Sequence, residues 1–205
     1  MTEQARTDRG LDRLVNFSDA TVAIAVTILI LPLVDIAGEV TKGTSAGDLL
    51  AEHWPAILEF LVTFWVIARF WTLHHQVFEH VRSYNARVMR LNFVWLISIV
   101  FLPFAANLLD GSREEGDRIT PAIYIGTMVL TSLSLSGIEY ELRRAPDLLS
   151  TPLRDPSNGF VAVGLMALAF VLALLVPSVG LYWVLLLLLQ GPIAQLLHRR
   201  RTPHT

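Results

Sequence analysis

The chain contains no cysteine. That excludes a disulfide framework, thiolate catalysis and cysteine-ligated metal, and identifies no compartment by itself. Charge is scarce as well. Asp, Glu, Lys and Arg make up 17% of residues, against roughly 25% in an ordinary soluble domain. The shortage is uneven: charge is missing from long runs and crowded between them, the pattern of a polytopic membrane protein. Positive charge is not in excess either. The net charge is −2, so no basic face argues for a nucleic-acid partner. No His-Glu-x-x-His and no Gly-x-Ser-x-Gly motif occurs. No convergent nucleophile, base or metal cluster stands out, and the chain reads as a non-enzyme. No linker is long enough to set off a soluble domain. No internal repeat supports an inverted-repeat transporter.

Apolar residues are what remains. They form 53% of the 205 residues, with a mean hydropathy of +0.52. Six apolar segments are predicted, at about 14–36, 54–73, 88–109, 121–140, 159–176 and 181–197. At about 1.5 Å per residue, each crosses or nearly crosses a hydrocarbon core of about 30 Å. The expected fold is therefore all-α, one six-helix transmembrane domain over 1–205. Pro177 and Gly180 divide the last two segments into a tight hairpin, with a five-helix count as the alternative. The polar start before Leu14 and the missing small-residue cleavage site argue for a retained first helix, not a secretory signal.

Arginines set the expected orientation. Arg6, Arg9 and Arg13 precede the first segment, and Arg82, Arg87 and Arg90 follow the second. Arg143, Arg144 and Arg154 follow the fourth, and Arg199, Arg200 and Arg201 follow the sixth. The opposite side holds only Lys42, Arg113 and Arg118 among several acids. The positive-inside rule then puts both termini in the cytoplasm, which requires an even number of crossings.

The first segment concentrates its polar residues at its start. Asp19 lies within the span, and an ionisable group there needs a partner or water. Further along, Ile24, Thr27, Ile28 and Leu31 fall three and four apart, hence on one helix face. Periodicity alone allows two uses of that face: the lining of a narrow channel in an oligomer, or ordinary packing.

Arg13-x-x-x-Phe17-Ser18-Asp19, followed by Ala20, Ile24 and Thr27, resembles the first-helix signature of the transmembrane protein 175 potassium channel family. Trp71-x-x-His74 ends the second segment as that family's does. Leu91-Asn92 and Phe101-Leu102-Pro103-Phe104 match its third. Segments four to six carry no matching motif. The resemblance implies a prokaryotic, single-repeat member that conducts potassium passively as a homotetramer. It implies a central pore lined by helix one, with Ile24 as the narrowest layer, then Thr27 or Ile28, then Leu31. It implies no carbonyl filter, and the chain has no Thr-Val-Gly-Tyr-Gly. Membrane lipid and monovalent cations are the expected partners, with potassium as permeant ion and no resident cofactor or metal. A bacterial inner membrane is the expected location.

With this orientation, Arg13, Phe17, Ser18 and Asp19 share a level with Trp71, His74 and Asn92, and the resemblance implies a structural polar network there. Local capping by Ser18 or Asp19, with interfacial anchoring by Trp71, is the alternative. Asp19 and His74 also suit a proton pathway, which gives a proton-conducting or proton-coupled transporter as the second functional reading. His75 and Glu79 are a possible i, i+4 metal pair, but no third ligand is evident. Glu59 is expected near the outer mouth, Arg69 opposite Glu139, and a kink at Pro103. Trp54, Tyr124, Tyr182 and Trp183 are expected in aromatic belts.

Overall fold

A computed structural model of the chain describes residues 8–38, 45–111 and 119–153, with residues 164 and 168. Apart from residues 164 and 168, the fifth and sixth predicted segments, with Tyr182 and Trp183, lie outside the described residues. Among these residues the structure is all-helical, with a single isolated bridge between Val81 and Leu149. The helices are α1 (Asp8–Ile28), α2 (Leu31–Gly38), α3 (Ala46–Glu52), α4 (Trp54–Phe78), α5 (Ala86–Gly111) and α6 (Ile119–Arg144). Four spans, Arg9–Gly38, Trp54–Phe78, Ala86–Leu108 and Ile119–Arg144, are long and apolar enough to cross a membrane.

The first predicted segment is not one continuous helix. Pro32 has no N–H to donate to the Ile28 carbonyl, and its ring crowds that carbonyl, so α1 stops there. The chain turns through Leu29 and Ile30, and helix resumes where Val34 N–H bonds Ile30 O at 3.0 Å. In the connection that follows, Ser45 caps α3 by accepting from the Asp48 N–H at 3.1 Å. The second segment extends past its predicted end to Phe78, because His74, Val77 and Phe78 are buried. Asn85 starts α5 as an N-cap, its Oδ1 accepting from the N–H groups of Arg87 (3.0 Å) and Val88 (2.9 Å). α5 remains helical on both sides of Pro103.

Cross-helix contacts fix the topology. Asp19 of α1 meets Trp71 of α4, while Leu29 and Pro32 lie beside Ala56 and Glu59, so α1 and α4 are antiparallel. Asn92 shares the first of these levels and Asn107 the second, so α5 runs with α1. Contacts of Ser98 with Thr131 and of Arg87 with Glu141 make α6 antiparallel to α5. The result is an up-down-up-down bundle. Its core holds Trp95, Ile99 and Leu102 of α5, Tyr124, Met128 and Ile138 of α6, and Val66 and Ile67 of α4. Gly137 lets α6 approach α5 closely: an added Cβ lies 3.3 Å from Leu91 Cδ2. At the α4–α5 end, Arg82 N–H bonds Leu148 O (2.9 Å) and Ser150 N–H bonds His80 O (2.8 Å), stapling the turn to the segment after α6.

Two expectations need correction. Tyr124 is fully buried and shares a hydrogen bond with Thr63 Oγ1 at 3.0 Å, so it is a bridge between α6 and α4 and not a belt residue. A buried phenol needs a partner, and Thr63 supplies it. Glu139 lies 3.7 Å from Arg143, one turn along its own helix. That local pair takes the place of the expected pairing with Arg69.

Candidate functional site

The first span, α1 with the turn and the start of α2 after it, has two unlike faces. Leu11, Leu14, Ser18, Val22, Ala25 and Leu29 are buried, at spacings of three and four. The other side carries Ile24 (60% exposed), Ile28 (41%) and Leu31 (54%), with Ala20 and Thr27 also exposed. Thr27 Oγ1 donates to the Ile24 carbonyl at 2.8 Å. With its proton committed to the backbone, the hydroxyl turns acceptor lone pairs outward. The outward face is thus apolar, with one oxygen-bearing layer.

Two polar strings fasten the base of this helix. In the first, His74 Nε2 donates to Asn92 Oδ1 at 2.7 Å, because an amide oxygen only accepts. Asn92 Nδ2 donates to Ser18 Oγ at 2.9 Å, and Ser18 Oγ donates to the Leu14 carbonyl at 2.9 Å. All three side chains are buried. The His74 ring lies between Trp95 (centroids 4.1 Å) and Phe78 (4.3 Å), stacked on both. In the second string, Trp71 Nε1 donates to Asp19 Oδ1 at 2.8 Å, and the indole stacks on His75 at 5.3 Å. Helix geometry explains the split. Ser18 and Asp19 are adjacent, as are His74 and His75, so each pair points to different faces.

Phe17 sits edge-to-face with Phe93 of α5 at 6.3 Å, half exposed. Arg13 is exposed and makes no hydrogen bond to another described residue. The structure leaves it outside the network in which the sequence grouped it. Trp95 was missed. Its signal was its place three residues after Asn92, on the line of Val88, Asn92, Trp95, Ile99 and Leu102. Glu59 lines a small pocket on the buried side of the α1–α2 break, with Leu29, Pro32, Leu33, Thr63 and Asn107. His75 lies 3.3 Å from Glu79, and among the described residues no group of three metal-ligating side chains forms.

Four membrane-capable helices, one presenting an apolar face and held at its base by buried polar strings, define a polytopic helical membrane protein. A crystal structure of a lysosomal potassium-selective channel TMEM175 homolog from Chamaesiphon minutus shares this fold. The TM-score is 0.70 at 24% identity, over 91% of this chain and 98% of that one. Residues 13–103 match the family described as "Endosomal/lysosomal potassium channel TMEM175". A potassium channel from Streptomyces collinus is 31% identical over 150 residues, which is 71% of this chain and 70% of that one. The Homo sapiens endosomal/lysosomal proton channel TMEM175 is 31% identical over 99 residues, 47% of this chain and 19% of that one. The chain belongs to the TMEM175 family, whose members are ion channels and not enzymes.

Proposed function

We propose that the protein is a potassium-selective channel of a bacterial inner membrane, conducting passively through a central pore lined by α1 in a homotetramer. The carrying observation is the division of α1. Its buried face packs within the subunit, its polar base is held by α4 and α5, and its outward stripe at Ile24 and Ile28 is exposed, with no hydrogen bond or ring contact to it from another helix among the described residues. In this reading four copies of Ile24 form the constriction, with Thr27 or Ile28 and then Leu31 as further layers. A ring of isoleucines strips water from a narrow neck and closes it by dewetting. The Thr27 oxygens replace part of an ion's hydration shell. Potassium, being larger, sheds water more readily than sodium, so the neck favours it. In this reading both termini are cytoplasmic, as the arginine distribution suggests, and the even number of crossings that this requires favours six over five. The permeant ion needs no resident cofactor.

Potassium flux from purified protein in liposomes, down its gradient and without a coupled ion, tests this reading. A second reading, proton conduction, is favoured by the proton-channel relatives. Against it, Asp19 and His74 sit in separate hydrogen-bonded strings, and an indole N–H is no proton carrier. An acidification of the lumen that tracks the proton gradient, at fixed potassium, identifies that alternative.

A further inference from the structure

α2 repeats the division of α1 beyond the break. Pro32, Leu33 and Ile36 are half-buried, and Pro32 and Leu33 line the pocket shared with α4 and α5. Leu31, Val34, Asp35 and Gly38 are exposed, at spacings of three and four. Asp35 stands one helical turn past Leu31 on that face. The apolar stripe therefore runs on into a carboxylate. From Ile24 to Asp35 the chain carries no other ionisable group.

Asp35 lies inside the apolar span Arg9–Gly38, three residues from its end. It has no hydrogen-bond or ion-pair partner among the described residues. A carboxylate within such a span is costly unless it meets water or a counter-charge. Facing lipid, Asp35 has neither. Facing an axis shared by several copies, it meets the water of a vestibule. The same end of the bundle is acidic as well. Asp48 and Glu52 of α3 are exposed there, and among the described residues no lysine or arginine joins them. Arg82, Arg87, Arg90, Arg143 and Arg144 stand at the opposite end. The positive-inside rule accounts for the missing bases, but not for an acid placed on the stripe.

We infer that Asp35 is a further residue that determines permeation, contributing to a ring of four carboxylates at the outer mouth that gathers cations ahead of the Ile24 neck. This rests on the reading of α1 as pore lining in a tetramer. At about 1.5 Å per residue, the ring stands about 16 Å outward of Ile24. Four like charges around one axis repel one another, and an arriving cation relieves that repulsion. A mouth lined by one sign of charge, between walls of low dielectric, focuses the field and raises the local concentration of the opposite ion. The ring acts on the supply of ions and not on their dehydration. It serves potassium and sodium alike and leaves the choice between them to the neck. It needs no bound ion, only carboxylates open to water.

Single-channel conductance in planar bilayers, at about 10 mM and about 1 M KCl, tests the ring. Charges act over about 30 Å in the dilute salt and about 3 Å in the concentrated one. Asp35→Asn is expected to lower conductance about three- to tenfold in dilute salt, at or below the low end of such focusing, and to match wild type in concentrated salt. Asp35→Lys is expected to lower it further, most for current entering from the α2 end. Asp35→Glu keeps the charge and is expected to behave as wild type. The potassium-to-sodium ratio is expected to stay the same in all three. Glu52→Gln removes an exposed acid that is off the stripe, and is expected to matter less than Asp35→Asn. Conductance in dilute salt that ignores the charge at residue 35 overturns the inference alone. So does a loss that is as large in concentrated salt, or an equal loss in Glu52→Gln. If Asp35→Lys fails to assemble, the contrast of Asp35→Asn with Asp35→Glu still decides. A wild-type protein without potassium current in either salt overturns the channel reading, and the inference with it.

Discussion

Asn92 of α5 donates to Ser18 of α1 at 2.9 Å, across 74 residues of sequence, and its other amide atom accepts from His74. One side chain thus ties three helices, with no water-exposed atom to spare. Asn92→Leu leaves the buried His74 N–H without an acceptor and Ser18 without its donor. Inter-helix hydrogen bonds in membranes average about 0.6 kcal/mol, but an orphaned buried group costs more, so a loss of about 1–2 kcal/mol is expected. Ser18→Ala leaves one buried Asn92 N–H without its acceptor, but Asn92 keeps its bond to His74 and the Leu14 carbonyl its helical partner, so a smaller loss of about 1 kcal/mol is expected. Unfolding in mixed micelles measures both. Equal losses in the two variants speak against Asn92 as the junction.

The outward stripe gives a prediction about permeation. Ile24→Asn replaces a dewetting ring with amides that hold water, and the potassium-to-sodium permeability ratio is expected to drop toward unity. Thr27→Val keeps the shape and removes the oxygen, and is expected to lower the same ratio more modestly. Reversal potentials under bi-ionic conditions decide. A ratio indifferent to both changes removes the selectivity account, whatever the flux.

Trp71 and Asp19 separate a clamp from a proton pathway. Asp19→Asn keeps an acceptor for the indole N–H and discards the titratable group. If the carboxylate only clamps, potassium flux stays within about twofold of wild type, while Trp71→Phe, which removes the donor, weakens thermal stability by about 1 kcal/mol. Loss of proton flux in Asp19→Asn, with potassium flux intact, makes Asp19 a carrier of protons instead.

Much of this site is written locally in the chain. The stripe at Ile24, Thr27 and Ile28 follows from helical period alone, because a helix fixes which residues share a face, whereas Leu31 lies past the turn at Leu29 and Ile30 and opens α2. The polar residues Ser18, Asp19, Trp71, His74 and Asn92 were legible by their cost within apolar runs. Their division into two strings was not, since it depends on how α1 and α4 are rotated about their axes. Tyr124 shows the same limit. A tyrosine near a helix end reads as a belt residue, and only the position of Thr63, 61 residues earlier, makes it a core bridge. The break at Pro32 was readable from its missing N–H, yet the unbroken apolar run concealed it. The local pair of Glu139 with Arg143 defeated the distant pairing for the opposite reason: a partner one turn away costs less entropy to hold.

The absence of cysteine makes the assembly directly testable. Single substitutions Ile24→Cys, Leu29→Cys and Ile97→Cys each introduce the only thiol. Ile24 is 60% exposed on the stripe, Leu29 is 4% exposed on the opposite face of the same segment, and Ile97 is 69% exposed on α5. A disulfide needs Cα atoms within about 7 Å, which facing or adjacent copies around a narrow axis provide and lipid-facing positions do not. Oxidation in the membrane is expected to link subunits through Ile24→Cys, and to leave Leu29→Cys and Ile97→Cys as monomers on a denaturing gel. Leu29→Cys controls for thiols hidden in the subunit, and Ile97→Cys for collisions between exposed faces. Linkage at Ile97→Cys with none at Ile24→Cys moves the subunit contact to α5 and takes the axis away from α1.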